Sequence, residues 1–449
     1  MKPEKLIYTF VSYASNYDTK WGHGTPLEGI ERIQRLAHKY GIPVTWIVNS
    51  GSVKLVGDKI GQWHEQYGDD VILQCPMYGQ NPGGRLDELK QLITDEWNCI
   101  EQTFPWVKTK VIGRGQITNE IIKVLEELDF QGMWGYCWEQ TWWDGITHRG
   151  IPWGFWYIDG DRYKVPNRGK GKIVGCEWTA RDLNQTWHTG SPCIFSTDPN
   201  DVLRAGLCTG RDIEYWKNTF QDYLSNTANN DYVFFLQQQE AHEMEYTRRF
   251  AVFPPEHVYE CESMLELFFQ YVKGFNITFT TLPKAIALYH EKNPKTAPSY
   301  MLTKDTLKRP EINEYTMTLG GVGMGPWPET FLYYDSECQM VFVEGENRPR
   351  LLRNYTGKWD MSDEFEEKVP YIFITTYIKD KDVIEIEYEI GHWKPIPFGL
   401  AYWDNLAGYE IISCEQVMDA RIIQDKLAFF RFNLTGEKTR IRVVLQSHK

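Results

Sequence analysis

The stretch LEGIERIQRLAHKYGIPVTWIVN, residues 27–49, decides the fold class. Its first half repeats apolar residues at helical spacing between Pro26 and Gly41, which predicts an amphipathic helix with a defined start and end. Its second half, PVTWIVN, is a short run of β-branched and aromatic residues and predicts a buried strand. A helix that leads directly into a buried strand is the repeating unit of an α/β fold.

The same alternation extends in both directions over residues 1–293. Apolar strands are predicted at 6–11, 43–49, 71–76, 109–115, 132–139, 172–179, 232–239 and 277–282. Helical patterns separate most of them, and an aromatic loop follows the fifth strand and extends to about residue 171. Strands that alternate with helices predict a parallel sheet, closed or nearly closed into a (β/α)7-8 barrel.

The residue pattern changes after this region, from strands that alternate with helices to closely spaced strands. Residues 294–312 are rich in Lys, Pro, Ser and Thr and predict a linker or crossover. Residues 313–449 contain short strand patterns separated by turn residues, beginning with YTMTLG at 315–320. This spacing predicts a C-terminal antiparallel β-sandwich of roughly seven or eight strands.

Composition excludes several classes of function. The 449 residues include 48 basic and 61 acidic residues, a formal charge of -13, which disfavours binding to nucleic acid or to an anionic membrane. No apolar run approaches the roughly 20 residues of a membrane helix. The nine cysteines are odd in number and form no CxxC, so we expect free thiols in a reducing, cytoplasmic compartment. A chain whose signal peptide had been removed would look the same.

Aromatic residues make up 15% of the chain, with 18 Trp and 26 Tyr. Trp and Tyr present flat surfaces that stack on sugar rings, so a carbohydrate site is a hypothesis from composition. The segment 133–157 is rich in Trp, including Trp138 and Trp142, and carries Glu139 at its strand end. Soluble proteins normally avoid exposing this many Trp side chains in one segment. We therefore expect the loop to fold into a second apolar core, to form a stacking platform for sugars, or to do both.

The N-terminal half resembles the polysaccharide deacetylase superfamily, the NodB-homology domain, over roughly residues 5–292. The similar segments are IYTFVSY (7–13), the stretch 27–49, VILQCPMYG (71–79), VIGRGQITNEIIKVLEELDF (111–130) and ITFTTLPKAIALY (277–289). The resemblance implies a deacetylase-like barrel with its site at the carboxyl ends of the strands. The C-terminal domain resembles no family that we identify.

Departures from the family pattern fall on its metal ligands. Val11 and Ser12 stand where the family has an Asp pair, and Cys75 and Gly79 stand where it has two His. Arg114 alone matches a family motif residue. The resemblance therefore implies the fold but no metal triad, and we expect no metal and no cofactor. Barrels of the same layout include retaining glycosidases and a metal-independent allantoinase.

Two strand ends carry the main catalytic candidates. In DYVFFLQQQEAHEMEY (231–246), an apolar strand gives way to Glu240 and His242, which project from the same side if the chain stays extended. The alternative is that both are solvated loop residues. In GCEWTARDLNQTW (175–187), Glu177 among apolar neighbours is a candidate proton donor, or else a structural carboxylate paired with Arg181. Asp182 follows in the same loop.

Other strand ends and loops supply predicted substrate-binding residues. They are Tyr13, Asp18, Asn49, Gln74, Arg114, Trp138, Trp142, Trp178 and Gln239. Arg114 is either a clamp for an anionic group or part of an internal salt bridge. A metal site from Asp18, His23, Glu240 and His242 was weighed and disfavoured, because metal motifs usually show tighter spacing.

These residues predict a carbohydrate-active hydrolase, with a glycosidase as the leading hypothesis. Its pair of carboxylates would be Glu177 and Glu240, with Glu139 and Asp182 in reserve. One alternative is a metal-independent amidohydrolase or deacetylase that uses His242 as base and Arg114 as clamp. The other is a catalytically inactive sugar-binding barrel. The expected partner is a carbohydrate; the sugar, its linkage and formation of a homo-oligomer stay open.

Overall fold

The computed structural model divides the chain into two compact units. Among the described residues, one unit extends to Thr330 and the other begins at Phe331. Residues 294–312, predicted as a linker or crossover, belong to the first unit. The structure describes residues 4–15, 24–76, 85–113, 119–135, 153–161, 166–189, 194–247, 251–318, 325–345, 350–351, 370–391 and 395–448.

The first unit alternates strands and helices. Its strands are β1 (Leu6–Tyr13), β2 (Val44–Val48), β3 (Asp70–Gln74), β4 (Val111–Gly113), β5 (Gly132–Trp134), β6 (Phe155–Tyr157), β7 (Val174–Cys176), β8 (Val233–Gln239), β9 (Thr278–Thr280) and β10 (Ser299–Lys304). Its helices are α1 (Leu27–Lys39), α2 (Ser50–Tyr67), α3 (Leu86–Thr103), α4 (Asn119–Glu127), α5 (Leu183–Thr189), α6 (Pro199–Arg204), α7 (Glu214–Ser225), α8 (Pro255–Val272), α9 (Leu282–Lys292) and α10 (Glu314–Thr318). Short 3₁₀ turns occupy Asn226–Ala228 and Ala241–Met244.

Strands β1 to β9 form one curled, half-barrel sheet in the order β6-β7-β5-β4-β3-β2-β1-β8, with β9 paired to the first half of β1. All pairings are parallel except that of β6 with β7. Strands β6 and β8 lie at the two ends, where Phe155 stacks on Phe234 with ring centroids 3.9 Å apart. The predicted parallel sheet with helices is confirmed. Strand β6 lies inside the predicted aromatic loop, because three residues are too few to show a periodic pattern.

The concave face of this sheet encloses an apolar core. Alternate residues of each strand point inward, as strand periodicity requires. These buried residues include Ile7, Val11, Tyr13, Ile47, Ile72, Val111, Trp134, Val174, Cys176, Phe234 and Leu236. The residues between them face the helices, for example Phe10, whose ring meets that of Phe269 on α8 edge-on at 5.1 Å. With both faces covered, most strand residues are apolar, as expected of a parallel sheet.

A buried carboxylate joins α1 to the sheet. Asp69 accepts hydrogen bonds from His38 Nε2 at 3.0 Å, from Val44 N at 2.9 Å and from Trp46 Nε1 at 2.8 Å. His38 also stacks on Tyr67, with ring centroids 3.8 Å apart. This network ties α1 to β2 and to the loop before β3, because donors from both elements meet at one carboxylate.

The second unit is built from antiparallel sheets, as a sandwich requires. Its strands are β11 (Glu329–Asp335), β12 (Met340–Val343), β13 (Arg350–Leu351), β14 (Tyr371–Lys379), β15 (Val383–Gly391), β16 (Pro395–Trp403), β17 (Tyr409–Cys414), β18 (Asp419–Ile423), β19 (Leu427–Thr435) and β20 (Thr439–Ser447). The orders are β14-β15-β20-β17 and β16-β19-β18, and β11, β12 and β13 pair in sequence. Strand β15 buries its alternate residues, so its VIEIEYEI pattern is that of a half-buried strand.

One strand prediction is wrong. YTMTLG was predicted to open the β-rich region, but Glu314–Thr318 is the helix α10. Asn313 Oδ1 accepts from Thr316 N and Thr316 Oγ1 accepts from Asn313 N, both at 3.0 Å. This reciprocal cap favours a helical turn over the strand that the alternating letters suggest.

No helix among the described residues is long and apolar enough to cross a membrane. The seven cysteines in the described parts of the chain form no disulfide, and five of them are buried: Cys75, Cys176, Cys208, Cys261 and Cys338.

Candidate active site

The polar end of β8 is the centre of the candidate site. Its sequence VFFLQQQ is buried along its whole length, so its three glutamines need partners inside the protein. Gln237 Oε1 accepts from the Tyr8 hydroxyl, and Gln238 Nε2 donates to Asp198 Oδ2. Gln239 Nε2 donates to Glu243 Oε2 at 3.2 Å. The strand therefore ends in a fixed polar network rather than in solvated side chains.

Glu240 and His242 are brought together directly after this strand. The chain turns into the 3₁₀ segment Ala241–Met244, and His242 Nε2 lies 3.1 Å from Glu240 Oε2. The two side chains are only 8% and 12% exposed, so the alternative of solvated loop residues is excluded. A carboxylate that accepts from one ring nitrogen holds the imidazole in a single tautomer and orientation. In the neutral ring, this contact places the proton on Nε2 and the lone pair on Nδ1.

Glu243 extends this cluster towards α6 and α8. Its Oε2 accepts from Gln239 Nε2 and from Asn200 Nδ2. Asn200 Oδ1 in turn accepts from His257 Nε2 at 2.8 Å. Burial, with Arg204 nearby, lowers the pKa of His257 to about 4, so this imidazole is neutral at pH 7 and acts as a donor. Glu243 is thus oriented by a chain of hydrogen bonds that runs across three elements.

Asp198 is a buried carboxyl that sequence analysis missed. It caps α6 by accepting from Asn200 N at 2.8 Å and from Asp201 N at 3.1 Å. Burial raises its pKa well above the ordinary value, and the neighbouring charges of Asp201 and Glu240 act in the same direction. The letters Asp-Pro at 198–199 are a helix-start signature and are the signal that would have identified this cap. Asn200 and His257 were missed as well, and carry no comparable signal.

Glu177 lies at the end of β7, as predicted, and is buried. Its Oε2 is 3.8 Å from Arg181 Nε, so the predicted pairing with this arginine is present. Trp178 packs against the barrel core, and the Arg181 guanidinium lies 5.1 Å from the centre of its ring. Glu177 therefore has a cation as its neighbour, whereas Glu240 has an imidazole.

Asp182 is buried and hydrogen-bonded within its own loop. It is 3% exposed, and its Oδ1 accepts from Gln185 N at 3.1 Å. Burial raises its pKa to about 7, so it is largely protonated in mildly acidic solution. It directly follows Arg181 in the chain and lies six residues beyond the end of β7.

Three predicted substrate-binding residues have packing or capping roles. Tyr13 is buried at the end of β1 and meets Trp134 edge-on, with ring centroids 5.7 Å apart. Asn49 caps α2 by accepting from Ser52 N at 3.0 Å, and its Nδ2 lies 3.4 Å from Gln74 Oε1. The structure thus brings Asn49 and Gln74 together at neighbouring strand ends. The predicted residues Asp18, Arg114, Glu139, Trp138 and Trp142 lie outside the described residues.

The residues at the family's metal positions do not suit a metal ion. Val11 is part of the apolar core, and the Ser12 hydroxyl donates to the carbonyl of Gln239 at 2.7 Å. Cys75 is buried, and Gly79 lies outside the described residues. Neither Val11 nor Ser12 supplies the carboxylate that the family's site needs.

Three side chains at the end of β8 place possible metal-ligand atoms close to one another. Among the described residues, Glu240, His242 and Glu243 offer carboxylate and imidazole atoms that all lie within 4.8 Å of one another. Some of these atoms already take part in the contacts of His242 with Glu240 and of Glu243 with Gln239 and Asn200.

No family model matches the chain. No curated protein matches it either. Among solved structures, it is similar to a Parabacteroides distasonis protein provisionally assigned as a glycoside hydrolase/deacetylase, with a TM-score of 0.54, 12% identity and coverage of 79% of this chain and 84% of that chain. It is also similar to a provisionally assigned polysaccharide deacetylase from Mycobacterium smegmatis, with a TM-score of 0.41, 12% identity and coverage of 69% and 96%. For Puue allantoinase these values are 0.41, 14%, 65% and 92%.

At 12% identity the first likeness concerns the fold. It agrees with the curled parallel sheet of the first unit and with the sequence resemblance found at the start. The chain therefore has the fold of a deacetylase-like barrel.

Proposed function

We propose that the protein is a carbohydrate-active hydrolase that removes an acyl group from a sugar without a metal ion. The observation that supports this proposal is the contact of 3.1 Å between His242 Nε2 and Glu240 Oε2 at the carboxyl end of β8. An imidazole held by a carboxylate is the usual arrangement of a general base. It stands at the end of the barrel where such folds place their sites.

The proposed reaction is hydrolysis of an amide or ester. His242 Nδ1 takes a proton from water, and the hydroxide oxygen bonds to the acyl carbon. The bond from that carbon to the sugar nitrogen or oxygen then breaks, and His242 returns the proton to the leaving group. Glu240 stabilises the imidazolium that forms between these two steps. Arg114, which lies outside the described residues, stays the predicted clamp for an anionic group.

The glycosidase hypothesis is supported less well. It needs one carboxyl that donates a proton and a second that attacks or activates water. Glu177 lies next to the guanidinium of Arg181, and this neighbour suits a binding or structural carboxylate better than a proton donor. The carboxylate of Glu240 is already in contact with the imidazole of His242. We therefore assign Glu240 to orienting the base.

The test is a parallel assay of two bond types. Release of acetate from N-acetylated and O-acetylated oligosaccharides is measured beside release of nitrophenol from a panel of aryl glycosides. We expect acetate release, with His242→Asn slower by about 10²-fold or more and Glu240→Gln slower by at least about tenfold. The matched controls Glu256→Gln and His448→Asn change exposed residues and should keep the wild-type rate.

The other outcomes separate the rival hypotheses. Cleavage of aryl glycosides without acetate release would contradict the proposal in favour of a glycosidase. Sugar binding with neither reaction would contradict it in favour of an inactive sugar-binding barrel.

A further inference from the structure

Arg181 is a buried cation with more donors than the described structure uses. The residue is 2% exposed, and its Nε, Nη1 and Nη2 have no hydrogen-bond acceptor among the described residues. A guanidinium carries five N–H groups and is always charged in proteins. Burying such a group without acceptors is costly, so native structures normally supply them. An acceptor-rich, negatively charged ligand would meet this requirement.

The neighbouring carboxylate accounts for only part of the requirement. Glu177 Oε2 lies 3.8 Å from Arg181 Nε, beyond hydrogen-bonding distance. Even after a small shift that closed this gap, one carboxylate would engage at most two of the five N–H groups. At least three N–H groups of Arg181 would still have no acceptor among the described residues.

The backbone that carries Arg181 is held in place from two sides. Ala180 N donates to the carbonyl of Leu236 on β8 at 2.6 Å, and Arg181 N donates to the Tyr223 hydroxyl at 3.2 Å. The guanidinium itself lies 5.1 Å from the centre of the Trp178 ring. These contacts fix the arginine between the end of β7 and the edge of β8. Because this backbone is already ordered, Arg181 loses less conformational freedom when a ligand binds, which favours recognition.

Two indole donors near the ends of β5 and β7 face the barrel core. The indole nitrogens of Trp134 and Trp178 are buried and have no hydrogen-bond partner among the described residues. Trp134 lies opposite Cys176 in the β5–β7 register, and both residues face the barrel core. Trp178 stands two residues beyond Cys176 and packs on that core, so it continues the same face. The β5 and β7 ends thus combine a cation with two N–H donors on aromatic rings.

We propose that Arg181, with Trp134 and Trp178, binds the carboxylate of an acidic sugar such as a uronic acid. The assignment to a sugar rests on the proposed function, while the assignment to an acid rests on Arg181. A guanidinium matches a carboxylate with two parallel hydrogen bonds, and indole rings stack on sugar faces. A phosphate fits less well, because one arginine beside Glu177 does not balance two negative charges.

The test compares sugars that differ only at one carbon. Binding of glucuronate and galacturonate is measured by calorimetry and tryptophan fluorescence beside glucose and galactose, without any turnover. We expect each acid to bind at least about tenfold more tightly than its neutral counterpart, as a charge-assisted contact provides. Arg181→Gln should reduce this ratio to about twofold or less, whereas Arg211→Gln, at an exposed arginine, should keep it.

A second comparison needs no variant and covers the case in which Arg181→Gln fails to fold. The methyl esters of both acids keep the size and stereochemistry but lose the charge. Wild-type protein that binds the esters as tightly as the acids, or that binds neither, would overturn the proposal. Hydrolysis of neutral acetylated sugars with no preference for acids would overturn only this inference. Preference for acids with no hydrolysis would overturn only the proposed function.

Discussion

Gly29 of α1 lies against the carbonyl oxygen of Ala241, the first residue of the turn that carries His242. A Cβ atom at position 29 would stand 1.7 Å from that oxygen, far inside the distance that real Cβ atoms keep. Next to this contact, Glu28 N donates to Glu245 Oε1 at 3.2 Å. The first turn of α1 therefore positions the turn with the Glu240–His242 pair, and only glycine permits so close an approach.

Gly29→Ala should displace this turn and lower the hydrolytic rate. A shift near 1 Å at a catalytic group costs up to about 10²-fold in rate, so we expect a loss of at least about tenfold with the helical content retained. Gly61→Ala on α2 is the matched control, because nothing lies within 4 Å of the added Cβ. It should keep the rate and gain about 0.5–1 kcal/mol of stability. An unchanged rate in Gly29→Ala would contradict this account of how the turn is positioned.

Asp69→Ala should destabilise the first unit strongly. It removes the acceptor of three buried donors, on His38, Val44 and Trp46, and breaking a buried network of this kind costs about 3–5 kcal/mol. Urea unfolding followed by circular dichroism measures the change. The control Asp58→Ala alters an exposed residue of α2 and should stay within about 0.5 kcal/mol of wild type. A similarly small effect of Asp69→Ala would show that the network contributes little.

Much of the sheet could be predicted because its strands are long apolar runs with helical patterns between them. Strand β6 could not, since Phe155–Tyr157 is too short to show a period and lies among other aromatic residues. Helix α10 was missed because the cap between Asn313 and Thr316 outweighs the alternating letters that follow. In each case a local interaction decided the structure over the pattern.

The candidate site shows a similar division. Glu240 and His242 were predicted to meet because they are two residues apart on an extended chain, yet they meet across a 3₁₀ turn. The pairing of Glu177 with Arg181 was one of two predicted alternatives and is present. Asp198 lies 40 residues before its partner Gln238, and Asn200 lies 43 residues before its partner Glu243. Nothing in the local sequence indicates either contact.

Removal of metal ions should leave the proposed reaction unchanged. The family's ligand positions hold Val11, Ser12 and Cys75, and the Glu240–His242 pair needs no ion to activate water. Dialysis against EDTA should keep acetate release within about twofold of the untreated rate, because the imidazole supplies the base. Elemental analysis should find no stoichiometric zinc. Loss of activity that zinc restores would instead assign Glu240, His242 and Glu243 as ligands.

The pH dependence of stability follows from the buried carboxyl of Asp182. Burial raises its pKa in the folded protein to about 7, from the ordinary value of 3.8. Between these two values the folded state binds more protons than the unfolded state, so stability falls as pH rises. This contribution is fully present below about pH 4 and is lost by about pH 7. Asp222 acts in the same direction, because burial also raises its pKa to about 7.

Asp182→Asn should remove the Asp182 part of this dependence. The amide keeps an oxygen that can accept from Gln185 N but cannot ionise. Relative to wild type, the variant should gain about 2–3 kcal/mol between pH 5 and pH 8, since two pKa units at about 1.4 kcal/mol each fall in that interval. Urea unfolding at both pH values measures the gain, and the opposing titration of His257, whose pKa is lowered to about 4, cancels in the difference. Asp58→Asn, at an exposed site on α2, should show no such gain. If the difference in free energy of unfolding between variant and wild type is the same at pH 5 and pH 8, Asp182 is already ionised in the folded protein at pH 5.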